Sequence, residues 1–333
     1  MRRLGAAFAL VLFGCGSDPE ESPAAVDADK DVAAVSDTAA PEDTTPAPED
    51  ALDTTPGPDL VEETDVPPKF RPLAYVYSEN PIDTPEVTEV LLDHLSGDGV
   101  KTRSLDGEFA RVQNCVADLK AGRTVTVSPG GFQLELTYCD PRQSVTAGED
   151  GTFRHIRPPE TAGIDSDPFA EVMMYHHVQN IHDYFQRGFG LTDLDYPFPG
   201  LVNIQVYVAL CESWAAFGNA LFTPTGSFNY PIEFDFGYDG PAIIFGQTAT
   251  KDFAYEADVV AHEYTHAMIG ATRLNAVVLD EQGLDNHAGA LNEAYADYFA
   301  TSLAGESVIG NYALNAVEGL TVCGVPLSTS GNS

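Results

Sequence analysis

Positive charge is scarce in this 333-residue sequence: 16 Lys and Arg stand against 51 Asp and Glu, a formal charge of −35. Nucleic-acid binding relies on Lys and Arg to displace phosphate counterions, so that class of function is excluded. An electrostatic grip on an anionic lipid surface is disfavoured for the same reason. Cysteine is sparse, with 5 in the chain and none spaced as Cys-x-x-Cys, which argues against a cysteine zinc site and thioredoxin chemistry. The one leading apolar run, Leu4–Phe13, is too short to cross a bilayer as a mature helix. EF-hand spacing is also missing, so Asp258, Asp280, Glu281 and Asp285 read as a solvated acidic loop; calcium has no support from them.

What is present begins with an export signal. Arg2 and Arg3 precede the apolar run, which ends in Leu12-Phe13-Gly14-Cys15 and resembles a bacterial lipobox. Residues 1–15 are therefore a lipoprotein signal segment with Cys15 as the lipidated residue. The expected location is exported: lipid-anchored at the outer membrane or cell surface, or secreted. An ordinary secretory signal with an incidental cysteine is the other reading. The four remaining cysteines, Cys115, Cys139, Cys211 and Cys323, are compatible with two disulfides in any of three pairings. Cys115–Cys139 with Cys211–Cys323 keeps one bridge within each apparent segment.

Residues 16–69 form an acidic Pro/Ala/Thr linker; sixteen acids accompany Lys30 alone as far as residue 68. Such a segment cannot bury enough apolar surface to offset its ordering entropy. Residues 70–165 hold β-branched or alternating runs (73–77, 124–128 and 132–138) broken by Gly, Pro and Asp, which predicts a β-rich N-terminal region. Residues 166–333 form the second segment. There Phe169, Val172, Met173, Val178, Ile181 and Phe185 recur at helical spacing behind an Asp167 cap and Pro168. A strand is predicted through 201–210, and helices over about Ala254–Leu274 and Ala288–Ala304. His176, His177 and His182 lie on the apolar first helix and read as core or capping residues. His94, His155 and His287 carry no specific signal.

The chemistry concentrates in HEYTH at 262–266. On a helix His262 and His266 leave the same face one turn apart, with Glu263 beside them. A catalytic zinc takes three protein ligands and keeps one position open. The next helix, laid antiparallel beside this one, could present Glu293, four residues before Asp297, as the third ligand. Asp297 is then placed to accept the spare N–H of a ligating histidine. Two solvated acids on a surface helix are the simpler reading; Leu291, Tyr295, Tyr298 and Phe299 around them speak against it.

VVAHEYTHAM followed by GALNEAYADYFA resembles the thermolysin-like zinc metallopeptidases, and HEYTH in particular resembles their fungalysin branch. The resemblance implies Zn2+ held by His262, His266 and Glu293, with Glu263 activating the attacking water and Asp297 orienting His262. It further implies that Asn219 and Ala220, in FGNALF, bind the substrate peptide, and that Val259 lines the pocket beyond the scissile bond. The fold it implies is α+β: a β-rich N-terminal lobe, an HExxH active-site helix and a truncated helical C-terminal lobe.

The sequence departs from the family after Glu293. A transition-state histidine and a substrate-binding arginine are implied there, yet residues 294–333 contain no His, Arg or Lys. The usual assisting tyrosine falls near Leu284. The expectation is that the sequence is an incomplete record of a longer protein. The expected function is a secreted or surface-anchored zinc metalloendopeptidase acting on peptide or protein substrates, with no nucleic-acid partner and an oligomeric state that sequence leaves open. The alternative is a non-catalytic zinc-binding surface lipoprotein that keeps the peptidase scaffold. A partner-binding module within 70–160 is a third reading.

Overall fold

The computed structural model describes residues 72–95, 104–127, 134–160, 167–225, 227–229, 233–235, 240–248, 250–270, 278–280, 283–285, 287–313, 321–322 and 325–326. The signal segment with Cys15, the linker and Cys323 lie outside them. Strands β1 (Leu73–Val76) and β2 (Thr88–Leu91) pair antiparallel at the start. Next come β3 (Ala110–Val116), β4 (Thr124–Val127), β5 (Leu134–Tyr138) and β6 (Asp140–Arg142), then helix α1 (Pro168–Phe189). After α1 the chain builds β7 (Phe198–Val208), β8 (Ser213–Ala216), β9 (Ala220–Thr223), a small β10–β11 hairpin (Ser227–Asn229 and Glu233–Asp235) and β12 (Ala242–Gly246). Helices α2 (Ala257–Ile269) and α3 (His287–Ala304) flank a β13–β14 hairpin (Val278–Asp280 and Gly283–Asp285). Among the described residues no helix is long and apolar enough to cross a membrane.

The main sheet has eight strands and runs β4-β5-β7-β12-β9, with β3 and β8 also on β7 and β6 on β3. It draws strands from both sides of the expected 165/166 boundary, since β3 pairs in parallel with the start of β7. Side chains alternate across it as a pleated strand requires. Ile243 and Phe245 of β12 face the large core under the helices, whereas Ile244 joins Cys115, Cys139, Leu201 and Ile204 on the opposite face. The long strand β7 changes partners at Asn203, whose φ of 59° is left-handed. The Asn203 amide donates to Asn114 Oδ1 at 3.1 Å and to the Asp167 carbonyl at 2.9 Å, which anchors that irregularity inside the protein. Cys115 and Cys139 are bonded, with Cα atoms 5.1 Å apart, in the ordinary range for a disulfide. Cys211 is also oxidised.

Helix α1 starts where the sequence signals it. Asp167 accepts the Phe169 N–H at 2.9 Å, Pro168 takes the first turn, and Gly190 closes the helix at φ 68°. All six residues of its expected apolar stripe are buried, and so are His177 and His182. His182 Nε2 lies 2.9 Å from Asp195, and its ring stacks on Phe109 at 3.9 Å. Helix α2 is shorter than the predicted Ala254–Leu274. Asp252 caps a separate 3-10 turn over Phe253–Tyr255, and Glu256 is extended, so the helix starts only at Ala257. The Glu256 carboxylate instead accepts the Tyr312 and Ala313 N–H groups at 2.9 and 2.7 Å.

Buried Glu171 ties α1 to the β-rich region. It accepts from Asn114 at 2.9 Å and from the Ser144 and Val145 N–H groups at 3.3 Å each, and pairs with the Ser144 hydroxyl. Burial outweighs these bonds and raises its pKa to about 7. A carboxyl whose folded pKa is raised favours folding below its unfolded pKa near 4.5 and loses that contribution as pH climbs through about 7. Thermal unfolding should therefore show the Glu171 contribution lost between about pH 4.5 and 7, by on the order of 3 kcal/mol. Glu171→Gln should flatten that slope; an unchanged profile in the variant would assign the slope to other groups.

Candidate metal centre

Helices α2 and α3 build the site together. Their side-chain pairs run in opposite order, His262 with Asp297 and His266 with Asn292, so α3 lies antiparallel to α2. Helical spacing brings the His262 and His266 Nε2 atoms to 3.0 Å. Glu293 Oε2 stands 3.4 Å from each of them. These edges are those of ligand atoms around one tetrahedral zinc, where bonds of about 2.0–2.1 Å separate neighbouring ligands by about 3.3–3.4 Å.

The outer contacts assign the protons. Asn292 Oδ1 lies 3.0 Å from His266 Nδ1, and Asp297 Oδ1 lies 2.9 Å from His262 Nδ1 as an ion pair rather than an aligned hydrogen bond. With Nδ1 of each ring beside an oxygen acceptor, each Nε2 turns a lone pair towards the other and towards a carboxylate oxygen. Three acceptors converging on one point need a cation between them, so the donor set fits zinc. Without a metal the same crowding is answered by protons. Burial opposes charging of His262, but Asp297 and Glu293 outweigh it and push its pKa up to about 10. His266 is also raised against its burial, chiefly by Glu293. The two imidazoles in turn hold Glu293 far below the usual carboxylate range.

Glu263 is buried, and burial raises its pKa against the pull of both histidines. The Phe222 backbone N–H supports its charged form, and the Phe222 ring stacks 6.4 Å from His266. Phe222 belongs to β9, which ends the sheet order and has β12 as its strand partner among the described residues. Ala220 opens that strand opposite Phe245, and Asn219 just before it accepts the Gly246 N–H at 2.8 Å. A Cβ on Gly246 would collide with the Phe217 carbonyl, so only glycine lets the two segments approach. Val259 is 7% exposed and packs in the main core.

Two expectations need correction. The apolar residues around Glu293 do not shield it: Leu291, Tyr295 and Tyr298 are themselves exposed, and Glu293 is half-exposed. Asp258 is not solvated: it is 7% exposed and accepts the Gly310 N–H at 3.0 Å, with burial raising its pKa to about 6. Sequence reasoning also missed Asn292. The signal was available, because an antiparallel helix that offers Asp297 to His262 must offer something about one turn earlier to His266. Asn292→Ala is expected to weaken zinc binding about 10- to 100-fold in chelator competition, the usual effect of losing such an orienting contact. Unchanged zinc affinity would mean that Asn292 does not orient His266.

Two helices thus bring a pair of histidines and one glutamate to a single point, a donor set that could hold one metal ion. Residues 134–332, more than half of the sequence, match the family described as Fungalysin metallopeptidase (M36), and the chain belongs to it. Among solved structures it is similar to the precursor of protealysin, a metalloproteinase from Serratia proteamaculans, with 17% identity and a TM-score of 0.28. That similarity covers 60% of this chain and 45% of that one, so the chain spans less than half of that protein's length. No curated protein matches the sequence.

Proposed function

We propose that this chain is a zinc metalloendopeptidase that hydrolyses peptide bonds in peptide or protein substrates. The observation that carries the reading is the convergence of His262 Nε2, His266 Nε2 and Glu293 Oε2 at 3.0–3.4 Å, with Glu263 buried beside them. When bound, zinc supplies a Lewis acid that polarises a carbonyl and makes water acidic near neutral pH. His262, His266 and Glu293 would hold it. Asp297 and Asn292 fix the two rings so that Nε2 rather than Nδ1 faces the centre.

Glu263 is the proton carrier. It takes a proton from the attacking water and passes it to the leaving amine, and its burial raises its basicity towards the working pH. β9 ends the strand order among the described residues, and an extended substrate is proposed to lie along it, held by Asn219 and Ala220. Val259 is proposed to shape the pocket beyond the scissile bond. Export, and anchoring through Cys15, rest on the lipobox-like start of the sequence.

The reading is tested by incubating the full chain with casein, with and without a zinc chelator. Cleavage that the chelator abolishes and added zinc restores supports it. Chelator-insensitive cleavage would overturn the metal mechanism, and bound zinc without cleavage would favour a non-catalytic zinc scaffold.

A further inference from the structure

The start of α2 grips the chain that follows α3, so the two helices of the metal centre are tied together a second time. Gly310 turns that chain at φ 70°, in the left-handed region glycine favours, and Asp258 Oδ2 accepts its N–H at 3.0 Å. Glu256 Oε2 accepts the Tyr312 and Ala313 N–H groups at 2.9 and 2.7 Å, while Oε1 accepts the Asn80 amide at 2.8 Å. Tyr312 and Ala313 are themselves buried. Two carboxyl groups thus hold three backbone N–H groups of residues 310–313.

The two carboxyl groups also meet each other. Glu256 is hydrogen-bonded to Asp258, which accepts the Val259 N–H as well, and both side chains are buried. A hydrogen bond between two carboxyl groups needs a proton on one of them. With that proton gone, two like charges would face each other out of water, an arrangement that buried carboxyl pairs avoid. We infer that residues 310–313 form a proton-held strap: the proton shared by Glu256 and Asp258 keeps it closed on the start of α2, and loss of that proton as the pH rises releases it.

Cations close to the strap are engaged elsewhere. Lys251 Nζ lies 4.1 Å from the Tyr312 ring centroid, Arg187 pairs with Asp183 at 2.8 Å, and burial keeps His177 neutral. The other facing groups are acids and phenols. Glu306 adds to the negative field at Asp258, Asp83 accepts the Asn311 amide at 2.7 Å, and the Glu79 carbonyl accepts the Ala257 N–H at 3.0 Å. Asp252 and Tyr255 lie against Tyr312. Burial, and then the charge of Asp258, push the pKa of Glu256 up to about 8. Because that pKa is raised, the strap is favoured in full below the ordinary value near 4.5 and loses this support as pH climbs through about 8. Opening releases one proton between about pH 6, to which Asp258 is raised, and about pH 8, so the opening equilibrium should grow about tenfold per pH unit there.

The test is hydrogen–deuterium exchange of the full chain in the presence of zinc, read by mass spectrometry from pH 6 to 9 and corrected for the intrinsic pH dependence of exchange. Protection of residues 310–313 should fall about a hundredfold from pH 6 to 8 and then level off. The strap should exchange ahead of α1 throughout, because it opens without the rest of the fold. Glu256→Gln keeps a donor facing Asp258 with no proton to lose, so its strap protection should stay level over that range. Asp258→Asn is the second variant; it offers Glu256 an amide N–H in place of a like charge and should make the fall shallower. A level profile in the unaltered chain, a fall unchanged in both variants, or exchange in step with α1 at every pH would overturn the proposal.

Discussion

Glu263→Gln is expected to lower cleavage of casein roughly a hundredfold to ten-thousandfold while zinc content stays stoichiometric. Glutamine keeps the shape and the packing of a residue that is 9% exposed, so the fold has no reason to change. What disappears is the ability to accept a proton. Glu263 lies outside the three converging ligand atoms, which come from His262, His266 and Glu293, so metal binding has no direct dependence on it. Elemental analysis beside a proteolysis assay separates the two effects. Full zinc with full activity in the variant would remove Glu263 from the mechanism; lost zinc would recast it as a structural support of the centre.

The second large effect is on the metal itself. His266→Ala is expected to reduce zinc affinity by more than about 100-fold, beyond the range that loss of an orienting contact produces. It removes one ligand outright and leaves Asn292 without the N–H it accepts. It also leaves His262 and Glu293 facing each other at 3.4 Å, a pair that satisfies itself by proton sharing rather than by holding a metal. Because zinc binds the folded chain, lost affinity should appear as a lower unfolding temperature in saturating zinc, by mass action. Dialysis against a competing chelator followed by metal analysis gives the affinity. Retention of stoichiometric zinc at unchanged affinity would show that His266 is not a ligand.

The centre was legible because its information is local. HEYTH puts His262 and His266 one helical turn apart on one face, and Glu293 and Asp297 share a face of the next helix, which is why their convergence could be expected. Helix α1 was legible for the same reason: cap, proline, apolar stripe and terminal glycine all lie within 24 consecutive residues of sequence, from Asp167 to Gly190. What stayed hidden depends on contacts between distant segments. The start of α2 moved because Glu256 is drawn to the Tyr312 and Ala313 backbone, more than fifty positions away. Asp258 looked solvated among neighbouring acids, yet Gly310 and the walls of a cavity enclose it. The apolar residues of α3 gave a misleading signal, since Tyr295 and Tyr298 face outward. Hydrophobicity at helical spacing says that a face is apolar, and only the packing says whether it is covered.

His262, His266 and Glu293 are proposed to share one zinc ion. X-ray absorption at the zinc edge on the purified full chain, with metal content measured on the same sample, addresses it most directly. Stoichiometric zinc bound by two imidazole nitrogens and oxygen, with no sulfur, is the expected result, with one imidazole lost from the spectrum in whatever metal His266→Ala retains. A folded chain without zinc, or zinc bound through cysteine sulfur, would contradict it.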